Sequence, residues 1–337
     1  MKTINKYITE KLRLNKSNFK GGPEYTLFPK SKKELIKMIK DEINKNGNEC
    51  DLNHIDVSEI TNMTFLFSGD RQWGNGLSKF NGDISYWDVS NVTNMSCMFD
   101  MSKFNGDISK WDVSKVENMQ GMFSGSIFNK PIGNWNMSNV KDINNMFSKS
   151  EFNQDINNWD VSNVTDMSNL FFENNFFDKP LDKWNVSKVE NMESMFMNSI
   201  FNGDLSSWDI SNVKSTAGMF SDCEFDNDSI CGWDMSNIEN ISAMFDNNTV
   251  FNKDINNWNV SKVKYMTYVF NSSIFNKPLD KWDVSNVINM TSMFADSKFN
   301  QDISNWKVKP TCRVDTMFLR ASINDNYKPF KNNERIE

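Results

Sequence analysis

The chain has 337 residues, a formal net charge of −7, an apolar content of 38 % and a mean hydropathy of −0.60. So lean a composition cannot fill a thick globular interior, yet 27 Phe and 11 Trp separate it from disordered chains and demand burial. Acids and bases are mixed along it, which excludes the basic stripe of a nucleic-acid footprint, and no run approaches the ~18 apolar residues of a membrane span.

The opening MKTINKYITEKLRLNK is charged and holds no apolar run of signal-peptide length. A soluble protein outside the general secretory route is therefore expected, cytoplasmic or virion-associated. Residues 1–50 form an N-terminal segment. Within it, SKKELIKMIKDEINK (31–45) clusters Leu35, Ile36, Met38, Ile39 and Ile43 on one helical side. That amphipathic helix should cap the array that follows, because a stack of repeats otherwise exposes apolar surface at its end.

Residues 51–318 repeat. Trp87, Trp111, Trp135, Trp159, Trp184, Trp208, Trp233, Trp258, Trp282 and Trp306 follow one another at steps of 24 or 25 residues, and Ile55 holds the tryptophan place of a degenerate first unit. Between that unit and Trp87 lies an insertion around GDRQWGNG, with Trp73 either an exposed anchor or a residue tucked over the first coil. In the unit of Trp87 the apolar columns are Phe80, Ile84, Trp87, Val89, Val92, Met95, Met98 and Phe99, and the last column is Phe in every unit. A third of each unit faces inward, too little to fold alone but enough for stacked neighbours to share a thin core. The fold class expected is a repeat solenoid of about eleven coils.

Ile84, Trp87 and Val89 fit L-x-x-L-x-L, so a short parallel strand is predicted at Trp87–Val89. Val92, Met95, Met98 and Phe99 have helical spacing, so a helical or 3-10 turn capped by Ser90 should follow. An Asn or Asp six residues before each Trp, from Asn81 and Asn105 to Asn227 and Asn300, predicts a stacked asparagine ladder. The unit SDCEFDNDSICGW (221–233) breaks the pattern and is where an enzymatic pocket would have to form. Lys307, Lys309 and Pro310 blunt the last coil's edge, residues 319–337 close that end, and a monomer is expected.

The phrase W-D-V-S-N-V-T-N-M-S-x-M-F resembles the repeat of the BspA-like leucine-rich-repeat surface proteins of mycoplasmas, gut bacteria and some viruses and phages. The resemblance covers about residues 55–318. It implies a right-handed, leucine-rich-repeat-like solenoid and a role in adhesion or protein binding.

The residues themselves point away from catalysis. The single histidine, His54, has no motif around it, the five cysteines are irregularly spaced, and no phosphate-cradling or metalloprotease motif occurs. No cofactor is implied. The column after Trp holds Asp88, Asp112, Asp160, Asp209 and Asp283, interchanged with Asn136, Asn185 and Asn259. It is either an acidic stripe for calcium or ligand, or a set of oxygens accepting local backbone bonds. The column before Trp varies, with Tyr86, Lys110, Lys183 and Lys281 among its members. A fixed core carrying variable exposed columns is how repeat proteins bind. The expected function is thus non-enzymatic binding of a protein partner, through Tyr86, Asp88, Lys110, Asp112, Asp160, Lys183, Asp209, Lys281, Asp283 and Trp73. The alternative is a glycan- or cell-surface-binding adhesin or virion component of a bacterium or phage.

Overall fold

The computed structural model describes residues 24–330. Its one α-helix among them, α1 (Lys32–Asn46), starts where the Ser31 hydroxyl accepts the Glu34 N–H. It stops at Gly47, whose φ of +85° turns the chain away and whose N–H bonds the Ile43 carbonyl. Leu35 and Ile39 are buried against the first coil, while Ile36, Met38 and Ile43 pack partly against the same core. The Lys32 ammonium donates to the Thr64 carbonyl of that coil. Ahead of α1, Leu27 pairs in parallel with Ile55, so the N-terminal segment adds a contact that the sequence pattern did not show.

The repeats stack as coils, with one parallel bridge per coil running from Asn62 through Asn94, Asn118 and onward to Arg313. This differs from the predicted strand in place and in kind. Pairing falls at Asn94 rather than Trp87–Val89, and among the described residues no strand extends beyond a single bridge residue. The predicted helical turn is likewise replaced, by consecutive β-turns. The N–H groups of Trp87, Val92, Met98 and Ser102 bond the carbonyls of Ile84, Val89, Met95 and Phe99, each three residues back. Such a turn brings its first and fourth residues to one side, so a chain of turns imitates helical spacing in the sequence.

The same segment forms the ladder between coils. Met95, Cys97, Phe99 and Met101 donate their N–H groups to the carbonyls of Asn118, Gln120, Met122 and Ser124 at 2.9, 2.8, 2.9 and 2.7 Å. Alternate residues therefore serve the next coil and the coil's own turns, and little backbone is left unpaired. Cys97 and Met101 have φ of +53° and +50° at the third position of their turns, the signature of type II. The same two places carry positive φ in Asn145 and Lys149, Ala243 and Asn247, and Tyr268 and Ser272, whereas Gly121 and Gly125 occupy them in one coil. Left-handed backbone costs a residue with a Cβ about 1–2 kcal/mol relative to glycine. Ala243→Gly should therefore raise stability by up to about 1 kcal/mol, after the larger entropy loss of glycine is subtracted. Gly121→Ala, whose Cβ would also sit 3.1 Å from the Cys97 sulfur, should lower it by about 1 kcal/mol in urea unfolding.

Three aromatic columns fill the core. The column of Phe99 stacks on Phe67 and Phe123 at 5.5 and 5.6 Å, and that of Phe104 on Phe80 and Phe128 at 6.1 and 6.3 Å. Each tryptophan adds a polar tie. The indole N–H of Trp87 reaches the Leu52 carbonyl and that of Trp111 the Ile84 carbonyl, and so on to Trp306 and Leu279, all between 2.9 and 3.3 Å. A phenylalanine would be smaller and could not make that bond, which explains why the column is tryptophan.

The asparagine ladder runs from amide to backbone, not amide to amide. Asn81 Oδ1 accepts the Asn105 N–H at 2.8 Å, and Asn105 Oδ1 accepts that of Asn129 at 3.0 Å. In the irregular unit Asp226, not Asn227, stands in the ladder, because Asn227 instead caps the 3-10 helix Asp228–Ile230. Past the last full coil the chain continues the stack for part of a turn. Ile323 follows the Phe column, Asn324 bonds Asn300, and the Ile303 N–H bonds the Tyr327 carbonyl. Residues 1–23 and 331–337 of the expected terminal segments lie outside the described residues.

Candidate binding surface

The turn closed by Ile84 and Trp87 buries the indole and leaves its neighbours in sequence on either side at the surface. Tyr86 is 49 % exposed, Asp88 is half-buried, and Lys110, Asp112, Asp160, Lys183, Asp209, Lys281 and Asp283 are exposed. The stacking of coils brings these into two columns that flank the tryptophans. Within them the Lys110 ammonium lies 5.7 Å from the centroid of the Tyr86 ring. Lys183 and Lys281 donate to Asn158 and Asn257 of the preceding coils at 3.1 and 2.8 Å.

The acidic column has a local task. Oδ1 of Asp88, Asp112, Asp160, Asp209 and Asp283 accepts the N–H two residues on, from Ser90, Ser114, Ser162, Ser211 and Ser285, at 3.0 to 3.2 Å. Asn136, Asn185 and Asn259 accept the same bond in their coils. An acceptor oxygen is what the position requires, whether charged or not. Ser90 is thus the donor in this turn, and its hydroxyl also donates to Asp88, in place of the expected cap. The hydroxyl and N–H of Ser162 hold the Asp160 carboxyl below its ordinary pKa, and Ser114 and Ser285 do so for Asp112 and Asp283. Among the described residues no three His, Cys, Asp or Glu side chains converge as metal ligands.

A depressed carboxyl pKa stabilises the fold above the unfolded value, about pH 4, and that contribution is lost as pH falls through the folded value. Asp160→Asn should keep stability at pH 7 within about 0.5 kcal/mol, since the exposed charge adds little and Asn keeps the bond. It should also lose less stability than the parent chain as pH falls below about 4, in urea unfolding followed across pH.

Trp73 stands apart from these columns. It is 61 % exposed and not tucked over the coil, its N–H bonds Asp70 at 2.6 Å, and its ring lies 6.5 Å from Phe65. Among the described residues no ring stacking joins it to Tyr86.

One concavity went unnoticed in the sequence. A cleft of about 420 Å³ is lined by Glu49, Asn81, Gly82, Asp83, Ser85, Gly106, Asp107 and Lys110. Its signal is the column five residues before Trp, which is Gly82 and Gly106 in two successive coils where most others have Lys or Gln, such as Lys130 and Gln154. A Cβ at Gly82 would meet the Cys50 carbonyl at 1.9 Å and one at Gly106 the Phe104 ring at 2.8 Å, so the backbone of the cleft wall packs where no side chain fits. Burial opposes ionisation of Asp83, but the N–H and hydroxyl of Ser85 and the Asn53 amide outweigh it and lower the pKa. The same groups of Ser109 lower that of Asp107.

The positions singled out for chemistry have other surroundings. His54 faces Glu42 at 3.7 Å. In residues 221–233 Cys223 is buried beside Ser199 and its thiol is pushed up to about 11 by burial, so it stays protonated at neutral pH. All five cysteines are free. No helix among the described residues is long and apolar enough to cross a membrane.

A family model described as "Mycoplasma protein of unknown function, DUF285" matches residues 33–151, 125–230 and 217–330. The chain belongs to the DUF285 family. The three matches overlap and together span α1 and the whole stack, so the family's unit is a block of several coils rather than one. No curated protein and no solved structure matches the chain significantly. Membership in DUF285 thus carries the repeat and no activity.

Proposed function

We propose that this DUF285 chain is a non-enzymatic binding scaffold, acting as a monomer, whose columns beside the tryptophans meet a protein partner. The observation that carries the reading is the column before Trp. It changes from Tyr86 to Lys110, Asn134, Asn158 and Lys183 while the buried tryptophan beside it is repeated in coil after coil. On this reading the stack is a leucine-rich-repeat-like scaffold in which β-turns stand where strands would be. Tyr86 and Lys110 form its anchor, an exposed aromatic with a cation over its face. The test is a cross-linking pull-down from cells that make the protein. Tyr86→Ala with Lys110→Ala should weaken recovery of a specific partner about tenfold or more. Recovery unchanged by the pair would reject this face.

The cleft favours a second reading, a saccharide ligand. Glu49, Asn81, Asp83, Asp107 and Lys110 offer acceptors and donors suited to adjacent hydroxyls, and Tyr86 is next to Ser85 on its rim. A glycan array separates the two: binding abolished by Asn81→Ala supports the saccharide, and a blank array leaves the protein partner.

A further inference from the structure

Each coil down to that of Trp282 passes four backbone N–H groups to its successor. In that coil Met290, Ser292, Phe294 and Asp296 donate to Arg313, Asp315, Met317 and Leu319 at 2.7 to 2.9 Å. The equivalent donors in the last coil are Val314, Thr316, Phe318 and Arg320, and among the described residues nothing accepts from their N–H groups. The apolar end of the stack beside them is covered: the Phe330 ring lies 6.0 Å from that of Phe318, and the Lys328 ammonium is over the same ring. What stays open is a row of donors.

The two ends of the stack do not complement each other freely. The opposite end would present carbonyls, but Lys32 bonds that of Thr64 and Asn75 those of Phe65 and Leu66, with α1 packed alongside. Two C-terminal ends would set donors against donors. A second copy is therefore a poor occupant. Charge narrows the choice further. Residues 307–330 carry five cations (Lys307, Lys309, Arg313, Arg320, Lys328). Arg313, Arg320 and Lys328 pair with Asp315, Asp296 and Asp325, which leaves a balance of +2, that of Lys307 and Lys309, on a chain whose net charge is −7.

We propose that this C-terminal edge docks an acidic segment of another protein, one that offers backbone carbonyls on alternate residues to Val314, Thr316, Phe318 and Arg320. Main-chain bonds supply the register, as when a strand is added to a sheet edge, and the basic flank selects the sign of the side chains. The site goes beyond the face around Tyr86 and does not depend on it.

Residue-resolved amide exchange on the full chain tests the proposal. In the free protein the four edge amides should exchange about tenfold or more faster than those of Met290, Ser292, Phe294 and Asp296. A blocked peptide of about eight residues alternating aspartate and serine, at millimolar concentration, should slow them about tenfold, and its lysine–serine counterpart should not. Lys307→Glu with Lys309→Glu should weaken the aspartate peptide's effect about fivefold or more, and Tyr86→Ala should leave it intact. No slowing by the aspartate peptide, or equal slowing by the lysine one, overturns the proposal. So does protection already present in the free chain: if it grows with protein concentration the occupant is a second copy, and if it does not the occupant is the chain itself.

Discussion

Phe171→Ala should cost about 3–5 kcal/mol, as should truncation of any ring in the middle of this column. The ring is fully buried in a middle coil, between Phe147 at 5.7 Å and Phe196 at 5.8 Å, with Phe177 only 4.0 Å away. Neighbouring coils are held at fixed spacing by the N–H ladder, so the structure has little freedom to collapse into the void. Phe318→Ala makes the comparison: its ring is only partly buried and has a stacked neighbour on one side alone, so the loss should be less than half as large. Urea unfolding followed by tryptophan fluorescence reads both. Equal losses at the two positions would show that the middle of the column is not the tighter part.

The second large effect belongs to tryptophan. Trp184→Phe should cost about 2–3 kcal/mol, part from the smaller ring and part from the lost indole bond to the Ile156 carbonyl at 3.0 Å. That carbonyl also accepts the Trp159 N–H at 3.1 Å, so it keeps one partner and the full penalty of an orphaned acceptor is avoided. Trp184→Leu loses the same bond and more ring, so the difference between the two variants isolates packing. If Trp184→Phe were as stable as the parent chain, the indole bond would not explain the column.

Much of this architecture is legible in the sequence because one period governs it. The tryptophan step gives the coil length, the Phe columns give the core, and the apolar side of residues 31–45 gives α1, with Leu35 and Ile39 inward. The local structure within the coil is not legible in the same way. Val92, Met95 and Met98 stand three apart, and a helix and a chain of β-turns share that interval. Only backbone angles separate the two, and the positive φ of Cys97, Ala243 and Tyr268 leaves no mark where the residue is not glycine. The acidic column resolved in favour of local bonding because Asn136 and Asn185 make the bond that Asp112 makes. The cleft, lined by Gly82 and Gly106, was not legible, because Gly203 holds the same column in another coil and only the stacking of coils brings Glu49, Asp83 and Asp107 to one place.

The stack itself is the claim on which every surface described above depends, since it alone aligns Lys110, Ser207 and Lys281 in one column. Spin labels at Lys110 and Ser207, four coils apart, and at Lys110 and Lys281, seven apart, test it by pulsed dipolar distance measurement. With the tryptophan rings beside this column 6.4 to 6.5 Å apart from coil to coil, the two separations should be about 26 and 45 Å, each broadened by the label linkers. A longer-spaced pair that proved no farther apart than the shorter one would contradict the stack, and with it the binding face and the open edge.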